Sequence, residues 1–149
     1  MTSNHLPDED ANIQDCAQSI KQMLSICNAS HTSTCKAGNL RQTPEDLGMH
    51  LFVPKRLLRV SNDEVSFQVR LIETATCGTS FDGGDFRYTA LSHCWGSIEI
   101  IKTTKATVSG FKRKGIKWAY LPKTFQEALI LTHKLGINYI WIDSLCKCT

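Results

Sequence analysis

The sequence lacks the features that would direct a chain into a membrane or through one. No apolar stretch approaches the roughly 20 residues of a membrane-spanning helix. The polar, acidic start, MTSNHLPDED, has neither the basic start nor the apolar core of a signal peptide. We therefore expect an intracellular, cytoplasmic protein whose seven cysteines are free thiols.

The sequence also has few charge or glycine patterns that indicate a ligand. The net charge is +3, and the densest basic run, Lys112-Arg113-Lys114, is too short to favour nucleic acid over a solvated face. Gly83-Gly84 precedes a predicted strand instead of following one, so a glycine-rich phosphate loop is missing. With 42% hydrophobic and 21% charged residues, the composition is that of one ordinary globular domain.

The first half of the chain predicts a helix, a loop and a hairpin. Residues 1–10 are expected to be disordered, and residues 28–50 are rich in Ser, Thr, Asn and Gly and predict a loop. Two extended runs, 56–60 and 65–73, are joined by Ser-Asn-Asp-Glu and predict a β-hairpin. An amphipathic helix is predicted over residues 12–25, because apolar side chains recur there at helical spacing: Ile13, Ala17, Ile20, Leu24 and Cys27.

The second half predicts a regular α/β arrangement. Residues 87–94 are a strand candidate, and residues 103–114 predict a short helix that ends at Gly115. The stretch LPKTFQEALILTHKLG predicts the clearest helix, with Pro122 in its first turn and a stop at Gly136.

The run from Tyr139 to Ile142 predicts a second strand, buried on both faces as in parallel sheets. Strand, helix and strand in this order form a βαβ unit. We expect the second strand at or near the edge of an unfinished sheet, where an uncovered apolar YIWI would make the chain poorly soluble.

Polar side chains follow both predicted strands. Ser92, His93 and Cys94 end the first strand in YTALSHCWG, while Asp143, Ser144 and Cys146 follow the second in INYIWIDSLC. Ligands bind beyond the carboxyl ends of strands in open parallel sheets. If the two strands are neighbours, these residues share one edge of the sheet and form a candidate site.

A Ser–His or Cys–His hydrolase is the weaker interpretation of these residues. Adjacent strand residues point to opposite faces, so His93 cannot readily reach Ser92 or Cys94 as a base. We expect Cys94 to be a small buried hydrophobe and Trp95 to cover the strand end. Two alternatives stay open for His93, a hydrogen-bonded and partly buried ring or a ligand contact.

Two roles also stay open for Asp143, the carboxylate that ends the apolar second strand. It is either functional or the cap of the turn or helix that follows.

A metal site is the minority interpretation of CNASHTSTC. Cys27, His31 and Cys35 lie at intervals of four, which one helix face would bring together. A structural zinc takes four ligands, and only three are in line. We therefore expect no cofactor and thiols that hold a loop to the domain.

Several motifs, taken together and in order, resemble the opening blocks of the fungal heterokaryon incompatibility (HET) domain. They are RLLRV, RLIET, YTALSHCWG, TTKATV and LPKTFQEALILTHKLGINYIWIDSLC, and they span residues 54–146. CNASHTSTC is similar to the Cys/His segment that often precedes this domain. The resemblance implies an N-terminal region over 1–50 and a truncated HET domain over 51–149. Its motif residues are Ser92, His93, Trp95, Gly96, Asp143 and Cys146, with Leu121, Pro122, Thr124, Glu127 and Ala128 on the helix.

The resemblance also implies a fold and a function. The HET domain is considered similar to the Toll/interleukin receptor (TIR) fold of innate immunity. We therefore expect an α/β fold, an incomplete TIR-like (flavodoxin-like) parallel sheet with an N-terminal helix and a β-hairpin. HET proteins act in non-self recognition and programmed cell death. That role implies protein partners, such as other HET-domain or NLR-type proteins, and neither nucleic acid nor membrane.

The chain departs from the family pattern in two places. Glu127 stands where the family commonly has Asp, and Lys147-Cys148-Thr149 stands where the family continues into further elements. The glutamate used by TIR NAD-cleaving enzymes would belong to those elements. We therefore favour an interaction module. The alternatives are a TIR-like NAD-consuming enzyme that uses Ser92, His93 and Asp143, and a non-functional truncated paralogue.

Overall fold

A computed structural model describes five ranges of the chain, which are residues 7–30, 54–62, 66–74, 87–94 and 100–148. The chain divides into two units, Met1–Val53 and Pro54–Thr149, and each is described by itself. In the described ranges, no helix is long and apolar enough to cross a membrane.

The first unit contains the helix α1, Pro7–Ser30. It is longer at both ends than predicted, because residues 7–10 and 28–30 are helical rather than disordered or loop. Proline suits a first helical turn, where its missing N–H would be unpaired in any case. On the predicted apolar face, Ala17 is buried but Leu24 is half exposed, so part of that face reaches solvent.

The second unit is built on a mixed four-stranded sheet of order β2-β1-β4-β3. Its strands are β1 (Arg56–Asn62), β2 (Phe67–Glu73), β3 (Thr89–Leu91) and β4 (Tyr139–Ile142). β1 and β2 are antiparallel, in register from Arg56 opposite Glu73 to Asn62 opposite Phe67, which confirms the predicted hairpin.

The expectation of a parallel sheet is right for only one pair of strands. β4 runs parallel to β3 and antiparallel to β1. β4 therefore lies near the sheet edge, as predicted, but it has a neighbour on each side, and the prediction that its own edge is uncovered was wrong. The physical reason is that the hairpin supplies the second neighbour, so the argument for poor solubility from an uncovered YIWI edge fails.

Four helical segments lie in the described residues of this unit. They are α2 (Val108–Arg113), a 3₁₀ helix (Trp118–Tyr120), α3 (Lys123–Lys134) and α4 (Asp143–Cys146). α2 confirms the short helix expected before Gly115, which has a left-handed φ of 79°. The N–H of Ile116 then donates to the carbonyl of Val69 at 2.7 Å, which attaches the following segment to β2.

α3 confirms the helix predicted from LPKTFQEALILTHKLG, with a shift of one residue at its start. Pro122 precedes the first turn as the N-cap instead of lying within it. The helix ends at Gly136, whose φ is 77°. There the N–H of Gly136 donates to the His133 carbonyl and that of Ile137 to the Thr132 carbonyl. This pair of bonds is the Schellman motif, which satisfies the last carbonyls of a helix.

The core of the unit lies between the sheet and α3. Phe125 and Leu129 of α3 are buried, as the predicted apolar face of this helix requires. They pack with buried residues of the strands and of α4: Leu58, Val60, Val69, Leu71, Ile140, Ile142, Leu145 and Cys146. The core therefore joins the βαβ unit to the hairpin.

Candidate functional site at the carboxyl ends of β3 and β4

The register of β3 and β4 brings the two polar motifs to the same end of the sheet. Leu91 pairs with Ile142, and each is the last residue of its strand. Ser92 directly follows β3, and Asp143 directly follows β4. The predicted shared edge is therefore present. We call it the crest, and define it as residues 92–94 together with 143–146.

Among residues 92–94 of the crest, His93 is the one that faces the core. Its ring packs edge-to-face on Phe125, with ring centroids 4.9 Å apart and planes at 84°. Phe125 lies in the first turn of α3, so this contact brings the start of α3 to the crest as well. The contact fits the partly buried interpretation of His93.

The neighbours of His93 face the other way. Ser92 and Cys94 are both exposed, as the alternation along an extended chain requires. The expectation that Cys94 is a buried hydrophobe was therefore wrong, since only His93 points toward the core. Trp95 and Gly96 lie outside the described residues.

Asp143 is neutralised by Lys147, the residue that follows the last residue of α4. Its Oδ1 lies 2.5 Å from Lys147 Nζ, one helical turn further on. The same ammonium lies 5.6 Å from the centroid of the Trp141 ring. The expected cap is not formed, because α4 starts without a side-chain cap hydrogen bond. The i,i+4 spacing of Asp and Lys was the available signal for this pair, and sequence reasoning missed it.

Cys146 is a buried thiol rather than a nucleophile. Its Sγ accepts a hydrogen bond from the N–H of Ile142 at 3.4 Å and donates to the Ile140 carbonyl at 3.9 Å. Burial raises the pKa of Cys146 from 9.0 to about 11, although the Ile142 N–H partly opposes the rise. A thiolate is the reactive form, so the chemistry available here at neutral pH is packing.

Thr103 holds α4 in place and was not singled out from the sequence. It is buried, its N–H donates to the Ser144 carbonyl at 2.9 Å, and its hydroxyl donates to the Leu145 carbonyl at 2.6 Å. Arg56 Nε donates to the Cys146 carbonyl at 2.9 Å. Since the end carbonyls of a helix lack partners within it, these bonds fix a helix only one turn long.

Ser144 is the buried polar residue of the crest. It is 3% exposed, and its hydroxyl has no hydrogen-bond partner among the residues that the structure describes. Burying an unpaired hydroxyl is unfavourable. Ser144 lies at the crest, as the sequence predicted, and adds a second serine to it.

The helix-motif residues support the start of α3. Leu121 is buried in the core, and the carbonyl of Pro122 accepts bonds from the N–H groups of Phe125 and Gln126. Ala128 packs against the same core. Thr124 is exposed, and Glu127 forms a loose ion pair with Lys123 at 3.7 Å. Their placement indicates a structural role for the apolar members of this motif.

The candidate metal ligands are not brought together in the described part of the chain. Cys27 lies in α1, whereas His31 and Cys35 lie outside the described residues. Among the described residues, no group of three or more His, Cys, Asp or Glu side chains could hold an ion. Zinc therefore stays an untested expectation.

The comparisons with known proteins give one match. Residues 88–147 match the family Heterokaryon incompatibility protein (HET). No curated protein and no solved structure matches the chain. The match runs from the residue before β3 to the residue after α4, so it contains the crest and Thr103 but neither Arg56 nor the hairpin motifs RLLRV and RLIET. Residues 88–147 of this chain are therefore similar to the HET family, which is consistent with a partial HET domain.

Proposed function

We propose that this chain is a cytoplasmic signalling module that acts in fungal non-self recognition and programmed cell death through contacts with protein partners. The HET match, which contains the whole crest, supports the proposal. Other HET-domain proteins or NLR-type proteins are the expected class of partner. No cofactor is part of the proposal.

One observation favours contacts over catalysis. Within the described crest, the Asp143 carboxylate is bound by Lys147, and the thiol of Cys146 is buried with a raised pKa. An activated nucleophile needs a base within reach or a lowered pKa. Neither the carboxylate nor this thiol meets that requirement, while the exposed Ser92 and Cys94 are free to take part in a contact surface.

We assign the β3–α3–β4 unit to a TIR-like arrangement as part of this proposal. Two adjacent parallel strands joined through a helix are the repeating unit of flavodoxin-like sheets. The antiparallel hairpin is an addition to such a sheet. A solved structure of the chain that lacked a right-handed crossover between β3 and β4 would contradict this assignment.

A TIR-like NAD-consuming enzyme is the second candidate. The observation that favours it is the crest itself, because α/β sheets bind ligands beyond the carboxyl ends of their strands. In that case Asp143 would have to exchange Lys147 for the substrate, and its carboxylate would be essential.

The test is growth of a filamentous fungus that expresses the full chain from an inducible promoter. Wild type and Asp143→Asn should both arrest growth, since a contact surface tolerates loss of one paired carboxylate. Glu127→Gln is the matched control, because Glu127 is also paired with a lysine one turn away. Absence of arrest with wild type overturns the proposal. Relief of arrest by Asp143→Asn alone, at an unchanged protein level, favours the enzyme.

A further inference from the structure

Positive charge is concentrated in one segment of the second unit. Residues 100–126 contain seven of the 17 basic residues and none of the 14 acidic ones. The whole chain has a net charge of only +3, so this segment is far more basic than the rest. All of it is described, and it links β3 to α3 through α2 and the 3₁₀ helix.

Part of this charge is neutralised within the protein. Lys112 lies 3.1 Å from a carboxylate oxygen of Glu73 on β2, and Lys123 pairs with Glu127. Arg113, Lys114 and Lys117 are exposed, and no carboxylate of the described residues forms an ion pair with them. These three cations are available to a partner.

An exposed aromatic ring lies beside these cations. Tyr120 is 64% exposed, and Lys117 Nζ lies 5.7 Å from the centroid of its ring. We define the basic surface as Arg113, Lys114, Lys117 and Tyr120. Arginine and tyrosine are enriched among the residues that dominate binding energy at protein interfaces.

The backbone beneath the basic surface is held at several points. Ile116 is buried and bonded to Val69 of β2. The Trp118 ring stacks on Phe67, with ring centroids 5.1 Å apart. The side-chain amide of Gln126 donates to the carbonyls of Trp118 and Leu121. A surface ordered before binding loses less entropy on binding, which separates it from an ordinary solvated charge run.

We infer that the basic surface binds an acidic segment of a partner protein. Charge complementarity would speed the encounter and select the partner, and Tyr120 would supply apolar contact area. Three unpaired cations are fewer than the roughly 6–10 phosphate contacts of a typical nucleic-acid binder. A bilayer would require an apolar face, and Tyr120 is the one large exposed apolar side chain in the described part of this unit. The inference deepens the proposed function by naming a surface and rests on it for the partner being a signalling protein.

The test is fluorescence anisotropy of a labelled oligoglutamate peptide with the full chain. Lys114→Glu/Lys117→Glu should weaken binding by about tenfold or more, because it reverses two charges at the surface. The double variant Lys21→Glu/Lys55→Glu changes the net charge equally at exposed positions elsewhere and should weaken binding less than about threefold. Tyr120→Ala should weaken it severalfold, with a loss that persists when salt is raised.

Four outcomes would overturn the inference. The first is that the wild-type chain does not bind the peptide, and the second is that the two double variants lose equal affinity for it. The third is that the chain binds oligothymidine or phosphatidylserine vesicles more tightly than the peptide. The fourth is that the chain self-associates and Lys114→Glu/Lys117→Glu abolishes this self-association. Because binding is measured without cells, it is separate from the growth test. Surface-specific binding in a chain that does not arrest growth would support this surface and reject the proposed function.

Discussion

Leu91 and Ile142 are partners across two parallel strands, and each is the last residue of its strand. This pairing places Ser92 next to the start of α4, so residues 92–94 and 143–146 lie together in the crest. Two motifs that are about fifty residues apart in sequence therefore form one edge of the sheet. The candidate site is a product of strand register and not of either motif alone.

The turn after α2 requires a glycine at position 115. Gly115 has a φ of 79°, and a Cβ there would lie 2.7 Å from the Val69 carbonyl oxygen. We expect Gly115→Ala to lower the free energy of unfolding by more than about 1 kcal/mol, since backbone strain and steric clash add. Urea unfolding would measure the change.

Two other glycines provide the comparison. Gly110 lies in α2, and a Cβ added there would have no atom within 4 Å. Gly110→Ala should therefore leave the free energy of unfolding unchanged or raise it by up to about 1 kcal/mol. A Cβ added at Gly136 would also have open space, but the φ of this residue is 77°. Gly136→Ala therefore carries the backbone strain without a clash, and its effect on the free energy of unfolding should fall between those of Gly110→Ala and Gly115→Ala. Equal effects at positions 110 and 115 would contradict the described turn.

Thr103 should matter through its hydroxyl. Thr103→Val keeps the shape of the side chain but leaves the Leu145 carbonyl without its 2.6 Å bond. We expect a loss of about 1–3 kcal/mol in the free energy of unfolding, the usual result of stranding a buried polar group. Thr124→Val, at an exposed position of α3, is the matched control and should change little. A near-neutral Thr103→Val would mean that α4 does not depend on this contact.

The buried thiol of Cys146 should make the free energy of unfolding fall at alkaline pH. The thiol titrates near 9.0 in the unfolded chain and near about 11 in the folded protein, so the unfolded chain loses its proton first. Stability is therefore fully retained below pH 9 and decreases as the pH rises from about 9 to about 11, by about 3 kcal/mol in total. Denaturant unfolding across this pH range would measure it.

The alkaline effect has a direct control. Cys146→Ala removes the titrating thiol and should flatten the pH dependence of unfolding in this window, although it lowers stability overall. Cys94→Ala removes an exposed thiol and should keep the wild-type slope. If both variants keep that slope, the alkaline loss comes from other groups.

The Asp143–Lys147 ion pair should contribute little to stability. Two-thirds of the Lys147 side chain is exposed, so water screens the attraction. A double-mutant cycle with Asp143→Asn and Lys147→Met should give a coupling energy below about 1 kcal/mol. A coupling of several kcal/mol would mean that the pair is buried in solution and is part of the structural core.

Elements that depend on local spacing were predictable. The hairpin, α3 with its stop at Gly136, and the buried strand Tyr139–Ile142 follow from periodicity and turn chemistry within short windows. The shared edge also followed, because a βαβ unit brings its two strands together.

Features that depend on distant partners were not predictable. The antiparallel pairing of β1 with β4 joins segments about eighty residues apart, and no local pattern encodes it. The Thr103 bonds to α4 likewise depend on where two segments meet. Cys94 was assigned to the core on its residue type, and the alternation along the strand could not show that it is exposed until the structure placed His93 on the inward face.

The most direct test of the account is the NAD content of cells that arrest when the full chain is expressed. Growth and total NAD would be followed in the same culture after induction. The account predicts arrest while NAD stays at the level of a vector control, because under the proposed function the crest acts through contacts with a partner protein and not by catalysis. A fall in NAD that precedes arrest and disappears with Asp143→Asn would contradict it.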